Sequence, residues 1–185
     1  MFKFSANLGL LWTEMSQIDA IYKAKESGFD AVEFQFPYQY DCNEIKKALD
    51  EVNLPVIGIN TIKGDVDKGD NGLLAVPSRV SEARDALLQA FEYAKVIKSK
   101  NIHAMAGVTD LSTKSLVTFI DNLKFAKDAL WTTIGRRFIP RCTMLQPNIV
   151  HLGMIDLGSP KINLFLEHNI RIPLFISSNS FLGNC

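Results

Sequence analysis

A repeated change of periodicity is the sequence feature that most constrains the fold. Four times in the first 130 residues, a short strand-like segment gives way to apolar side chains at helical spacing. The predicted strands lie near residues 3–8, 30–36, 56–60 and 101–106. Helix starts are predicted at Ser16, at Asp41 with Glu44, at Ser78, and at Ser112 or Thr113. Strands that alternate with helices in this way form a parallel sheet covered by helices.

The length of the repeat distinguishes a barrel from an open sheet. Since four units occupy about 130 residues, eight units would need roughly 260, the usual size of a (β/α)8 barrel. The segment Asn7-Leu8-Gly9-Leu10-Leu11-Trp12 after the first strand lacks the glycine pattern that binds a nucleotide phosphate. We therefore predict an α/β protein with a partial (β/α)8 TIM barrel of about four βα units.

Residues 131–185 differ from the segment before them. They contain five basic and two acidic residues, a net charge of +3, which leaves −3 for residues 1–130 because the whole chain is neutral. The helical periodicity also ends near Leu130. We predict the half-barrel over residues 1–130 and an irregular, unrelated tail over 131–185, and we interpret the tail as a change of reading frame or an alternative exon.

Charge and cysteine content exclude several classes of function. Twenty basic and twenty acidic residues provide no excess charge for binding nucleic acid or an anionic membrane. The sequence contains no run of 18 apolar residues, as a membrane span would need. Its cysteines, Cys42, Cys142 and Cys185, are odd in number and widely spaced, which argues against a disulfide framework. We expect a cytoplasmic protein without nucleic-acid or membrane partners.

One face of each predicted strand is polar. Alternation places Asn7, Glu33, Asn60 and His103 opposite apolar neighbours, and therefore facing the barrel lumen rather than the helices. Burying a carboxylate or an imidazole costs several kcal/mol unless it is paired. We expect Glu33 and His103 to point away from the helices and to have polar partners, either each other, water or a ligand.

The strand ends raise further alternatives. Asn7 and Asn60 lie where barrel active sites are built, so each either faces a ligand or caps a loop with its amide. Phe36 and Tyr38 follow the second strand, where they either line a pocket or seal the top of the barrel. The long loop that begins near Gly64 is either functional or mobile.

Several segments together resemble a known family. They are Phe4-Ser-Ala-Asn-Leu8, Trp12-Thr-Glu14, Gly28-Phe-Asp-Ala-Val-Glu-Phe34, Phe36-Pro-Tyr38, Gly64-Asp65, Gly72-Leu-Leu-Ala-Val-Pro77 and His103-Ala-Met-Ala-Gly107. In this order and spacing they are similar to the hydroxypyruvate isomerase family of the xylose-isomerase-like barrel superfamily, over residues 1 to about 130. The resemblance implies a small hydroxy-keto acid substrate. It also implies interconversion of hydroxypyruvate and tartronate semialdehyde through an enediolate.

The resemblance also implies catalytic groups that the chain lacks. Family members use two glutamates from the second half of the barrel, beside a site that can hold a divalent metal. Where the family has a Glu-Pro pair, this chain reads Trp131-Thr-Thr-Ile-Gly-Arg-Arg-Phe-Ile-Pro-Arg-Cys-Thr-Met144, and no glutamate follows until Glu167. We therefore assign no catalytic residue and no metal ligand. The candidates for the substrate pocket are Asn7, Glu33, Phe36, Tyr38, Asn60, Gly64, His103 and Gly107.

Three hypotheses follow for the function. The first is a hydroxypyruvate isomerase that is inactive in this truncated form. The second is a non-catalytic binding or regulatory fragment, which would self-associate through the open strand edges of a half-barrel. The third is another sugar isomerase or epimerase of the same superfamily.

Overall fold

A computed structural model describes residues 2–110, 112–134, 139–143, 154–156 and 164–165, with side chains for residues 2–110 and 112–129. Strands and helices alternate through the first 134 residues. The strands are β1 (Ser5–Asn7), β2 (Ala31–Glu33), β3 (Val56–Asn60) and β4 (Asn101–His103). The helices are α1 (Gln17–Glu26), α2 (Cys42–Val52), α3 (Val80–Ile97) and α4 (Thr113–Ile134). Two short 3₁₀ turns, Pro37–Gln39 and Val66–Lys68, follow β2 and β3.

The first four strands form a parallel sheet. β1 pairs with β2, β2 with β3 and β3 with β4, all in parallel. The register places Asn7 beside Glu33 and Asn60 beside His103. In the β2–β3 pair the register shifts between Val32 and Glu33. These pairings confirm the predicted series of parallel βα units.

The hydrophobic core lies between this sheet and the helices. Ala6, Val32, Ile59 and Ile102 contribute one residue from each strand, and each is at most 1% exposed. Apolar positions at helical spacing cover them, including Ile21, Ile45, Leu87 and Phe119. Burial of each large aliphatic side chain stabilises the fold by about 1.5–3 kcal/mol. Each of the four strands therefore packs at least one residue of its predicted apolar face on the helix layer.

The third strand spans residues 56–60 as predicted, whereas the other three strands are shorter than predicted. Phe4, predicted within the apolar face of the first strand, lies before β1 and is 66% exposed. Its backbone N–H donates to the Asp30 carboxylate over 2.9 Å. β4 ends at His103 rather than near residue 106, because Ala106 forms an antiparallel bridge with Gly72 of the β3–α3 loop.

Helix starts follow the predicted caps in three cases. Ser16, Asp41 and Ser112 each accept hydrogen bonds from backbone N–H groups of the first helical turn. The helix predicted from Ser78 instead begins at Val80 and has no side-chain cap, because Arg79 is its N-cap residue. Arg79 uses its guanidinium elsewhere, as described below.

The tail contributes three short strands, β5 (Ile139–Thr143), β6 (Met154–Asp156) and β7 (Leu164–Phe165). β6 pairs with β4 in antiparallel orientation, and the sheet order is β1-β2-β3-β4-β6-β5-β7. A half-barrel was expected to leave the β4 edge open, but β6 pairs with it. The unpaired backbone N–H and C=O groups of an edge strand readily form hydrogen bonds with a further strand. Glu167, Cys185 and most of the tail lie outside the described residues. Among the helices that the structure describes, none is long and apolar enough to cross a membrane.

Candidate functional site

A row of polar side chains marks the carboxyl ends of the parallel strands. Asn7, Glu33, Asn60 and His103 are the last residues of β1, β2, β3 and β4, and we call them the polar row. All four are partly exposed, whereas the residue before each of them is buried. Parallel strands direct their carboxyl ends to the same rim, where barrel enzymes bind their substrates. The sequence predicted this orientation correctly from strand alternation.

Asn60 and His103 form a direct contact within the polar row. His103 Nδ1 lies 3.3 Å from Asn60 Oδ1. Because an amide oxygen only accepts hydrogen bonds, this contact requires a proton on Nδ1. The neutral imidazole then has its acceptor lone pair on Nε2. The prediction that His103 has a polar partner is confirmed.

Asn7 caps a loop. Its Oδ1 accepts from the Gly9 N–H over 3.0 Å, and its carbonyl accepts from the N–H groups of Leu10 and Leu11, each over 3.0 Å. This is the loop-capping alternative, and it occupies the side-chain oxygen. Only the Asn7 amide NH₂ therefore remains to donate toward a ligand.

Glu33 has no protein partner among the described side chains, none of which forms a hydrogen bond or ion pair with its carboxylate. Of the expected partners this leaves water or a ligand. The residue is half-buried rather than enclosed, so solvent hydrates the charge and no protein partner is required. Glu33 thus contributes a negative charge to the polar row.

Tyr38 joins the rim to the helix layer. Its hydroxyl donates to the Asn60 carbonyl, and its ring packs edge-to-face on Tyr93 with 5.4 Å between the ring centroids. Burial raises the pKa of Tyr38 well above its ordinary value of 10.0, so the hydroxyl stays protonated and donates. This geometry favours the sealing role over a pocket-lining role for Tyr38.

Phe36 has a different environment. The ammonium of Lys63 lies over its ring, 4.8 Å from the centroid. Phe36 follows β2 and Lys63 follows β3, so the two side chains meet between neighbouring strand ends. Lys63 was not among the predicted site residues, because a lone lysine in a loop belongs to no recognisable sequence pattern.

The β3–α3 loop is docked on the end of β4. The N–H groups of Leu73 and Leu74 donate to the Met105 carbonyl, each over 3.1 Å, and Ala75 donates to the Ala106 carbonyl over 2.7 Å. A side chain at Gly107 would place its Cβ 2.4 Å from the Gly72 carbonyl oxygen. At Gly64 a Cβ would lie 2.5 Å from Asp70 Oδ2. Close packing therefore accounts for both candidate glycines.

A charged cluster fixes the same loop to the start of α3. Asp70 accepts from the Asp65 N–H over 2.7 Å and pairs with the Arg79 guanidinium. Arg79 also donates to both carboxylate oxygens of Glu82, over 3.0 and 2.7 Å. The Arg79 guanidinium lowers the pKa of Asp70 below its usual range. An open cleft lies beside this cluster, between the loop and α3, lined by Ile62, Lys68, Asp85 and Gln89 among others.

The described residues do not assemble a metal site. Within residues 2–110 and 112–129, no three histidine, cysteine or carboxylate side chains converge. Glu33 and His103 are the members of the polar row that could ligate a cation, and a stable divalent site needs more donors than these.

Comparison with known proteins identifies the family. Residues 21–137 match the family model described as xylose isomerase-like TIM barrel. The chain belongs to this family. It is 37% identical over 129 residues to 2-oxo-tetronate isomerase of Haemophilus influenzae, an alignment that covers 68% of this chain and 50% of that protein. It is 35% identical over 133 residues to hydroxypyruvate isomerase of Escherichia coli, with 70% and 52% covered.

The chain spans about half the length of the curated relatives it matches. A solved structure named AP endonuclease, family 2, from Brucella melitensis aligns with a TM-score of 0.67 and 34% identity. This alignment covers 72% of this chain and 52% of that one. The relatives named as isomerases are in keeping with the resemblance found from the sequence.

Proposed function

We propose that residues 1–130 are the substrate-binding half of an isomerase that interconverts hydroxypyruvate and tartronate semialdehyde (2-hydroxy-3-oxopropanoate). The polar row carries the proposal, because it lies at the rim where barrel enzymes bind substrate, in a chain whose relatives are named as isomerases. Residues 131–185 are a separate tail in this proposal. The reducing cytoplasm is the proposed location, in keeping with the scattered cysteines.

The polar row suits the recognition of a hydroxy-keto acid. The Asn7 amide donates a hydrogen bond and Glu33 accepts one, and the imidazole of His103 lies in the same row. Hydroxyl and keto oxygens need donors and acceptors of this kind. Tyr38 and Asn60 support the site without binding the substrate in this proposal. Tyr38 holds the end of β3 through the Asn60 carbonyl, and the Asn60 side chain orients the imidazole of His103.

Turnover requires more than recognition. Proton transfer through an enediolate needs a base to remove a proton, an acid to return it, and stabilisation of the oxyanion. The two glutamates that the family resemblance implies have no counterpart in residues 1–130. We therefore propose that the 185-residue chain binds substrate without converting it, and no step of this proposal passes through a metal ion.

A four-carbon substrate is the second candidate. The relative from Haemophilus influenzae is named 2-oxo-tetronate isomerase, and its identity to this chain is similar to that of hydroxypyruvate isomerase. The two substrates share the 2-oxo acid group and differ in the length of the hydroxylated chain. Comparing the two ligands in one titration distinguishes them.

Self-association is a separate proposal for this chain. β1 is at one end of the sheet order, so its outer edge carries backbone groups that a second copy could pair with. Light scattering on the purified chain tests it. A monomer across a tenfold range of concentration would contradict the proposal.

The decisive experiment compares binding with turnover. We expect hydroxypyruvate to shift the NMR signals of Asn60 and His103 in the 185-residue chain, while a coupled assay detects no conversion above background. A chimera that joins residues 1–130 to the second half of the Escherichia coli hydroxypyruvate isomerase should convert it. Equal rates for the chain and the chimera would show that catalysis resides in residues 1–130, and unchanged NMR signals would contradict the binding site.

A further inference from the structure

Lys63 occupies an unusual position at the rim. It lies three residues beyond β3, and its ammonium is held over the face of Phe36, which lies three residues beyond β2. The negative face of an aromatic ring attracts a cation at this distance. The Lys63 carbonyl accepts from the Gly72 N–H over 2.8 Å, so the docked loop also fixes its backbone.

The neighbouring cations are already paired. Lys68 Nζ lies 2.7 Å from Asp65 Oδ2, and Arg79 pairs with Asp70 and Glu82. Lys63 forms no ion pair with any side chain that the structure describes, and its contact is the ring of Phe36. A lysine in this position keeps its charge available for an anion.

The polar row increases the need for such a charge. Glu33 places a carboxylate at the rim, and this carboxylate would repel an anionic ligand. A 2-oxo acid carries a carboxylate of its own at neutral pH. Binding it beside Glu33 therefore requires a compensating cation at the same rim.

We propose that Lys63 binds the carboxylate of an anionic 2-oxo acid, with Phe36 as the residue that positions its ammonium. This inference rests on the proposed function and adds a specificity determinant to it. The polar row recognises hydroxyl and keto oxygens, which acids and neutral ketoses share. Lys63 distinguishes the acid from the neutral ketose.

The test titrates two ligands into the full 185-residue chain by NMR. Hydroxypyruvate is the anionic probe, and dihydroxyacetone is its neutral analogue, in which a CH₂OH group replaces the carboxylate. In Lys63→Met we expect about a tenfold loss of affinity for hydroxypyruvate, the size of one charge-assisted hydrogen bond. Affinity for dihydroxyacetone should not change, and Lys63→Arg should retain binding of the acid.

Lys68→Met is the matched control, because it removes the same charge from the same loop at a residue that is paired with Asp65. It should leave both affinities unchanged. If Lys63→Met binds hydroxypyruvate as the unmodified chain does, the inference is wrong while the proposed function stands. If the unmodified chain binds neither ligand, the proposed function itself fails, and the role of Lys63 fails with it.

Discussion

The close approach of Gly72 and Gly107 leads to a prediction that can be worked out in detail. Gly107 has a φ of +99°, and a Cβ there would lie 2.4 Å from the Gly72 carbonyl oxygen. Both contacts of that Cβ within 3 Å are backbone atoms, which cannot rotate away as a side chain can. In Gly107→Ala the β3–α3 loop must therefore move off the end of β4.

The magnitude follows from what that movement breaks. Positive φ costs a non-glycine residue about 1–2 kcal/mol. The loop also loses its three hydrogen bonds to Met105 and Ala106, each with a net value of about 1 kcal/mol. We expect Gly107→Ala to lower the free energy of unfolding by about 4–5 kcal/mol, a large part of the stability of a domain of this size.

Gly69→Ala is the control. Gly69 lies in the same loop with a φ of +84°, but a Cβ there meets nothing within 4 Å. This variant should lose only the conformational contribution of about 1–2 kcal/mol. Urea unfolding followed by circular dichroism measures both variants, and hydrogen exchange at Leu73, Leu74 and Ala75 should accelerate in Gly107→Ala alone. Equal stabilities of the two variants, or unchanged exchange, would refute the argument from close packing.

Three further substitutions test the rim and its supports. Asn60→Leu should raise the share of the Nε2–H tautomer of His103, since the hydrogen bond of about 1 kcal/mol that Nδ1–H donates to Asn60 Oδ1 is lost. ¹⁵N NMR shifts of the imidazole that stay unchanged would contradict the assigned contact. Tyr38→Phe should lower the free energy of unfolding by about 1–2 kcal/mol because a buried hydroxyl no longer donates to the Asn60 carbonyl. Tyr22→Phe, whose hydroxyl is on the surface beside Glu51, should change it little, and a similar loss in both tyrosine variants would argue against the role of burial. Asp70→Asn should destabilise the protein at neutral pH, because Arg79 lowers the pKa of Asp70 in the folded state below its ordinary value of 3.8. The stabilisation by the Asp70 carboxylate is therefore present above pH 3.8 and disappears as the pH falls through the lowered pKa. The midpoints of urea unfolding, measured from neutral pH to below the lowered pKa, test this pH dependence. If Asp70→Asn is still less stable than the unmodified chain at the lowest pH, the charged carboxylate is not the source of the difference.

Local periodicity was sufficient for the order of the first four strands and helices, but not for the three short strands of the tail. The alternation around Val32 and Ile102 predicted which strand faces pack on the helices, because side-chain direction in a strand depends only on the parity of the position. The same alternation placed Glu33 and His103 on the polar rim. The predicted boundaries were wrong at strand ends such as that of β4. There, hydrogen bonds from a loop, such as those to the Met105 carbonyl, replace the hydrogen bonds between neighbouring strands.

The roles of individual rim residues could not be predicted in the same way. Asn7 caps its own loop, whereas Asn60 contacts an imidazole 43 positions away in the chain. Both are asparagines at the end of a strand, so the sequence alone left the same alternatives open for each. The contact that distinguishes them is formed by β4, which lies beside β3 only in the folded sheet.

The sequence by itself determined the succession of four βα units, the apolar side of each strand and the polar side that meets at the rim, since these depend on spacing within one element. Only the tertiary structure decided that Lys63 lies over Phe36, that Arg79 joins Asp70 to Glu82, and that Gly107 must be glycine. The contacts of Lys63 with Phe36, of Arg79 with Asp70 and of Gly107 with Gly72 join segments that are separated in the chain, whereas Glu82 lies only three residues beyond Arg79. The distances between separated segments depend on how strands and loops pack in three dimensions, and periodicity along one segment does not encode that packing.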